Sequence, residues 1–459
     1  MDRKNAWMSY GEKEKKELEE LNASYRKFLD HGKTERECVT EIIAMAEKAG
    51  YVELEKCKRE KKKLVPGDKV YSVCMKKSIA LFQIGSKKIE DGMNILGAHI
   101  DSPRLDVKQN PLYEDEGFAY LDTHYYGGIK KYQWVTIPLA IHGVVVKKDG
   151  TVIDVVIGEK EEEPVFCITD LLIHLSQEQL EKKARTVIEG EDLNVIIGSQ
   201  PLACEHKEAV KENVLKLLKD SYDFEEEDFL SAELEIVPAG KAREAGLDRS
   251  MILAYGQDDR VCAYTSLVAM LEVNDVEKTS CCLLVDKEEI GSVGATGMQS
   301  HFFENTVAEL LDAMGCYNEL RLRRVLSRSK MLSSDVSAAF DPTYASAFEK
   351  KNAAYFGKGM VFNKFTGSRG KSGSNDANAE YIGELRSIME MHQVHYQTAE
   401  LGKVDLGGGG TIAYILSLYG MEVIDCGVAV LNMHAPWEMT SKADIYETKK
   451  GYVAFLLEA

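Results

Sequence analysis

The stretch DDRVCAYTSLVAMLEVNDVEKTSCCLLVDKEEIGS, residues 258–292, decides the fold. It opens on two acids. Asp259 to Val273 then carries apolar residues at helical spacing, and Ser280 to Val285 is an unbroken apolar run that stops at Asp286. A long periodic segment followed by a short apolar one bounded by charges reads as a helix and then a buried strand. Helical runs such as Thr306–Ala313 go on alternating with strand-like runs to the end of the chain, the pattern of a sheet covered by helices. The predicted class is α/β, a mixed central sheet flanked by helices.

Upstream of this stretch, Glu14–Asp30 and Glu35–Gly50 read as helices. Val70–Val73, Ala80–Ile84 and Met93–Ala98 read as strands. Trp134–Ile157 is rich in Val, Ile and Thr around turn residues at Lys147–Gly150, and is expected to be antiparallel β-structure. Ser176–Asp228 is polar and acidic and is expected to be mostly helical. The organisation predicted is a catalytic domain of residues 1–104 plus 240–459, interrupted by a β-rich oligomerisation domain of residues 105–239.

The 459 residues are 44% apolar, enough for a large core and more than one domain usually holds. A net charge of −18 argues against nucleic acid or an anionic membrane as partner. No stretch approaches membrane-spanning length, and Met1–Lys16 is polar without an apolar segment, so neither a membrane segment nor a secretion signal is expected. The ten cysteines show no C-x-x-C spacing, which reads as free thiols in the cytoplasm.

Five strand-to-loop junctions carry candidate chemistry. His99 ends an apolar strand and Asp101 follows two residues later; a His can ligate a metal with one ring nitrogen while a carboxylate fixes the other. Asp258 and Asp259 precede a helix, where acids taken alone read better as caps. Glu288 and Glu289 follow a buried strand, so one can bind a metal while the other reaches its water. Asp335 and His434 each follow an apolar run. Alone, each is as consistent with a turn or a cap as with a site. Together, two His and several carboxylates at strand ends make an N/O ligand set suited to zinc or a similar cation, with one Glu left as a base.

This order of motifs resembles the aspartyl aminopeptidase and vacuolar aminopeptidase I family of dinuclear metallopeptidases, nearly throughout the chain. Leu171-Leu172-Ile173-His174-Leu175 and the Gly-rich Asp405–Ala413 also match. The resemblance implies two divalent ions, zinc or alternatively cobalt or manganese. Asp258 would bridge them, His99 and Asp335 would complete one, and Glu289 and His434 the other. Glu288 would be the general base, Asp101 would orient His99, and His174 would act in a neighbouring subunit's site. It further implies a cis Asp258–Asp259 peptide, peptide substrates, and self-association through dimers into a tetrahedral dodecamer. Near Phe362-Asn363-Lys364, relatives selective for acidic residues carry a substrate-reading lysine, and either Asn363 or Lys364 falls there. The competing readings are a related dinuclear deacylase or carboxypeptidase, and an inactive scaffold subunit. His124, His142, His206, His301, His392 and His395 lack a ligand context and are expected to be structural or surface residues.

Overall fold

A computed structural model describes residues 4–203 and 207–459; His206 lies outside them. The chain divides into two compact units. The larger comprises Met1–Asp101, Ala242–Met433 and Glu438–Ala459, and the smaller comprises Ser102–Lys241 with His434–Trp437.

The larger unit is built on a nine-stranded mixed sheet. Its centre is parallel: Thr279–Val285, Met93–His99, Lys330–Ser334 and Glu422–Gly427 lie side by side in that order. Antiparallel neighbours flank them, Ser78–Gln83 and Lys69–Cys74 on one side and Met360–Asn363 on the other. Parallel strands need both faces covered, which explains why Met93–His99 and Thr279–Val285 are buried at every residue. The adjacent Cys281 and Cys282 illustrate the two faces. Cys281 packs with the helices Phe302–Ala313 and Glu319–Arg328, whereas Cys282 joins the core of Gln257–Glu272 and Lys442–Glu458.

The helix Gln257–Glu272 is almost wholly buried, as expected of a helix enclosed by other elements. A second, five-stranded sheet joins Arg243–Ala245, Met251–Ala254, Glu438–Ser441, Ala429–Leu431 and Ser337–Ala338.

The smaller unit is an antiparallel sheet of six strands: Val152–Ile157, Leu139–Val146, Ala232–Pro238, Arg104–Asp115, Phe118–Tyr126 and Val195–Gly198. The hairpin predicted around Lys147–Gly150 is present. The helical expectation for Ser176–Asp228 needs correction. Among its described residues that segment holds one substantial helix, Ala209–Tyr222, one four-residue turn of helix, short 3-10 turns, the strand Val195–Gly198, and otherwise turns and loops. Its acidic composition marks solvent exposure, and only Ala209–Tyr222 carries apolar residues (Val210, Val214) at the spacing that a packed helix requires.

Candidate metal centre

The parallel strands deliver acids and a histidine to one end of the sheet. Met93–His99 ends on His99, 1% exposed, and Thr279–Val285, its parallel neighbour, leads into Glu288 and Glu289. Lys330–Ser334, on the other side, leads into Asp335. Asp258 and Asp259 sit at the start of the buried helix, where the backbone is not yet helical. The peptide between them is cis. Ligand clusters at the carboxyl ends of parallel strands are the expected location for a site in an open α/β sheet.

Two groups of ligand atoms converge to within 4.8 Å of one another: His99, Asp258 and Glu289, and His99, Asp259 and Asp335. His99 Nε2 lies 3.4 Å from Asp258 Oδ1 and 3.8 Å from Glu288 Oε2. Its Nδ1 lies 3.0 Å from the carbonyl oxygen of Asp101 and 3.2 Å from Asp101 Oδ1, and its backbone N–H donates to Asp259 Oδ2 at 3.3 Å.

Asp101 does more than face the ring. Its Oδ1 accepts from the backbone N–H of Glu288 and its Oδ2 from that of Glu289, both at 3.1 Å. One fully buried carboxylate thus fixes the histidine and the acidic loop together. The loop begins at Lys287 in a left-handed conformation, which turns the two Glu residues off the strand axis.

Burial and mutual charge set the protonation of this cluster. Burial, then the charge of Asp258, pushes the Asp259 carboxyl well above the carboxylate range despite the opposing charge of His99. Burial, followed by the charges of Asp259 and Glu288, does the same to Asp335. For His99, burial favours the neutral ring but is outweighed by hydrogen bonds to Asp101 and Asp258 and by the charge of Glu288. Carboxylates gathered in a dry site around one histidine call for cations. Asp259 Oδ1 is buried with no hydrogen-bond partner. Nitrogen and oxygen donors at this spacing fit divalent ions of the zinc type.

Two residues escaped the sequence reading in whole or part. Asp259, weighed there as a cap, belongs to a ligand group. Glu438, 1% exposed, accepts the Asp258 N–H at 2.9 Å and so holds the backbone at Asp258. No pattern in the sequence marks it, because it reaches the site from a strand of the second sheet.

His434 and His174 lie outside these ligand groups. His434 belongs to the smaller unit, with its Nδ1 2.8 Å from the carbonyl oxygen of Gly128. His174 sits in a turn of that unit closed by the Leu175 N–H on the Leu172 carbonyl at 3.0 Å; it is exposed, as are Leu172, Ile173 and Leu175, so it is not a core histidine. Of the two candidate specificity positions, Asn363 is buried at a strand end and donates to Ser337 Oγ at 2.7 Å, whereas Lys364 is exposed.

Comparison with known proteins agrees with this geometry. The family model described as "Aminopeptidase I zinc metalloprotease (M18)" matches residues 28–456. The probable M18 family aminopeptidase 1 of Clostridium acetobutylicum is 64% identical over 99% of this chain and 98% of its own. A crystal structure of aminopeptidase I from that organism superposes with a TM-score of 0.93, at 62% identity and 99% coverage of both chains. The M18 aminopeptidase crystal structure from Thermotoga maritima gives 0.95 at 46% identity with both chains fully covered. The yeast mApe1 dodecamer shares the fold, with a TM-score of 0.76 at 19% identity over 94% of this chain and 95% of its own. The chain therefore belongs to the M18 peptidase family, the aminopeptidase I zinc metalloproteases.

Proposed function

We propose that this M18 aminopeptidase releases N-terminal amino acids from peptides with Glu288 as general base beside two divalent ions. The observation that carries this reading is the convergence of His99, Asp258, Asp259, Glu289 and Asp335 at one end of the parallel strands, with the Glu288 carboxylate beside them. His99, Asp258, Asp259, Glu289 and Asp335 would hold the ions, and the family resemblance adds His434 to the Glu289 side. Bound ions of this kind lower the pKa of water, polarise a carbonyl and hold the substrate's free amine.

The chain's own groups do the rest. Glu288, with 17% of its side chain exposed, is open enough to take a proton from the attacking water and return it to the leaving amine. Asp101 is a positioning residue, holding the His99 ring and the Glu288 and Glu289 backbone in one arrangement. His174, presented on an exposed apolar turn, would donate to the oxyanion in the site of a second copy, so that dimers, and a dodecamer of the yeast kind, are the active form. Zinc is the proposed metal, with cobalt and manganese as alternatives.

A neutral N-terminal residue is the proposed substrate. The buried Asn363 carries no charge, and the net charge of −18 opposes acidic peptides. The nine described cysteines are all free thiols, which supports a cytoplasmic site of action. No described helix is long and apolar enough to cross a membrane.

Metal analysis by plasma emission, combined with hydrolysis of a panel of aminoacyl-nitroanilides and their N-acetylated forms, tests the reading. Two ions per chain, hydrolysis of leucyl substrate and no hydrolysis of the acetylated one are expected. Equal rates on acetylated substrates would remove the aminopeptidase mechanism, and a single ion at full activity would remove the paired centre.

A further inference from the structure

The smaller unit's sheet closes on itself. Its edge strands are Val152–Ile157 and Val195–Gly198, and the segment after the first edge strand links the two sides. Phe166 exchanges both backbone hydrogen bonds with Leu139 at 2.8 Å, and one residue on, the Cys167 carbonyl accepts from the N–H of Ile196 in the opposite edge strand at 3.1 Å. Six strands and this bridging segment form a barrel. The helix Ala209–Tyr222 packs against the strands Arg104–Asp115, Phe118–Tyr126 and Val195–Gly198, where Gly198 leaves room for Val214; a Cβ at Gly198 would come within 2.7 Å of that side chain.

Between the helix and the strands lies a cavity of about 310 Å³. Its wall is contributed by strands from both sides of the closure, including Leu121, Ile141, Ile157, Ile197 and Leu234, and by Leu218 of the helix. Phe224 and Phe229, in edge-to-face contact at 5.3 Å, also line it.

We propose that this cavity is a binding site for a small, uncharged, apolar molecule. Concave sites lined mainly by apolar and aromatic side chains with a few polar groups are a recurring form of small-molecule site. The wall is mostly apolar, and its polar side chains are Glu163, Ser221 and Tyr222. Its one ionised group, Glu163, is already saturated: Oε2 accepts from the backbone N–H groups of Gly158, Glu159 and Lys160, and Oε1 from Lys160 Nζ at 2.7 Å. Those bonds hold its pKa at about 2, so it stays negative and disfavours a carboxylate guest. The Tyr222 hydroxyl is turned to the Val156 carbonyl at 3.4 Å. By comparison with a cavity of about 150 Å³ that holds benzene, the volume suits a guest of roughly a dozen non-hydrogen atoms.

The test is calorimetric titration of the full chain with 1-octanol, octanoate and octylammonium, three guests of one chain length and three charges. Octanol should bind once per chain, and octanoate at least tenfold more weakly. Leu218→Trp and Ile197→Phe each fill the cavity from a different wall. Each should cut octanol binding tenfold or more, leave leucyl-nitroanilide hydrolysis unchanged, and hold or raise the melting temperature. Should one variant fail to fold, the other carries the comparison. Failure of octanol to saturate below its solubility limit, or undiminished binding in a folded variant, overturns the site. Binding of either ion as tight as octanol overturns the assigned chemistry. Octanol heats that track a change in sedimentation show that a second copy of the chain covers this face, which also overturns the proposal.

Discussion

Replacing Asp101 by Asn separates the positioning role of this carboxylate from its bulk. Wild-type Asp101 uses both oxygens on backbone donors, Oδ1 on the Glu288 N–H and Oδ2 on the Glu289 N–H, and its Oδ1 also lies 3.2 Å from His99 Nδ1. Asparagine is the same shape but keeps one acceptor oxygen. Its amide nitrogen must therefore face either a backbone N–H or the histidine, donor against donor. Hydrogen bonds to a charged group contribute about 1.5–3 kcal/mol each, so two lost or reversed contacts amount to roughly 3–6 kcal/mol of local stabilisation. Part of that is recovered as the Lys287–Ile290 turn shifts. What remains should appear as the 10–100-fold loss in metal affinity or activity that follows removal of a ligand's supporting group. The assay is kcat/KM on leucyl-nitroanilide at buffered free zinc, with metal affinity measured in parallel by chelator competition. Asp101→Asn at full metal loading should show a lower kcat, because Glu288 is displaced, and a normal fold by circular dichroism. Both quantities within threefold of wild type would refute the argument that one carboxylate fixes the histidine and the acidic loop together.

Glu288→Gln should reduce turnover by roughly 10²–10⁴-fold while both ions remain bound; near-normal rates with full metal content would mean another group is the base. His174→Ala and Glu288→Gln, each inactive alone, should regain activity when dissociated and reassembled together. No recovery in verified mixed oligomers would place His174 outside its neighbour's site. Lys364→Ala should leave a preference for leucyl over aspartyl substrate unchanged, as steady-state rates on the two will show; a wild-type preference for aspartyl substrate lost in the variant would make Lys364 the specificity residue. Asp425 is buried on a central strand, where burial raises its carboxyl from 3.8 to about 7 although the Thr411 hydroxyl donates to it. The folded chain therefore holds this proton through a range in which the unfolded chain has lost it. The folded state is disfavoured as pH rises from about 4 to about 7, by on the order of 4 kcal/mol in the limit. Asp425→Asn keeps an acceptor for Thr411 and should match wild type near pH 4 but melt at higher temperature near pH 8; parallel melting curves at both pH values would refute the assignment.

The candidate cluster was legible because parallel strands write their own ends. Each apolar run around the site stops at His99, Asp286 or Asp335, and the sheet sets these ends side by side. Asp259 was harder to read, since an acid at a helix start is ordinarily a cap, and only the non-helical turn of backbone there gives it a second use. Glu438 was not legible at all; it meets the Asp258 N–H from a strand 180 residues away in sequence. The acidic tract before Ala232 misled because Glu and Lys favour helices wherever they are exposed, whereas backbone pairing of Val195–Gly198 with Ala119–Leu121 took precedence. The barrel closure at Phe166–Cys167 depends on isolated long-range bridges that leave no periodic trace.

Asp101 and the Glu289 N–H it grips are 188 residues apart, and the smaller unit's main segment is spelled out between them. A chain made from its N-terminus therefore completes Ser102–Lys241 before either parallel neighbour of Met93–His99 has been synthesised. During that interval the strand destined for the centre of the sheet, apolar at nearly every position, has only the antiparallel hairpin Lys69–Gln83 and the first helices for company. Domains fold as units in the order they emerge, and contacts of such long sequence separation form slowly. The order of synthesis thus makes the barrel the early-folding part and the hydrolytic centre the last. A chain that stops short of Asp335 carries an exposed central strand, a target for aggregation or for chaperones, and lacks one of the carboxylates of the candidate metal cluster.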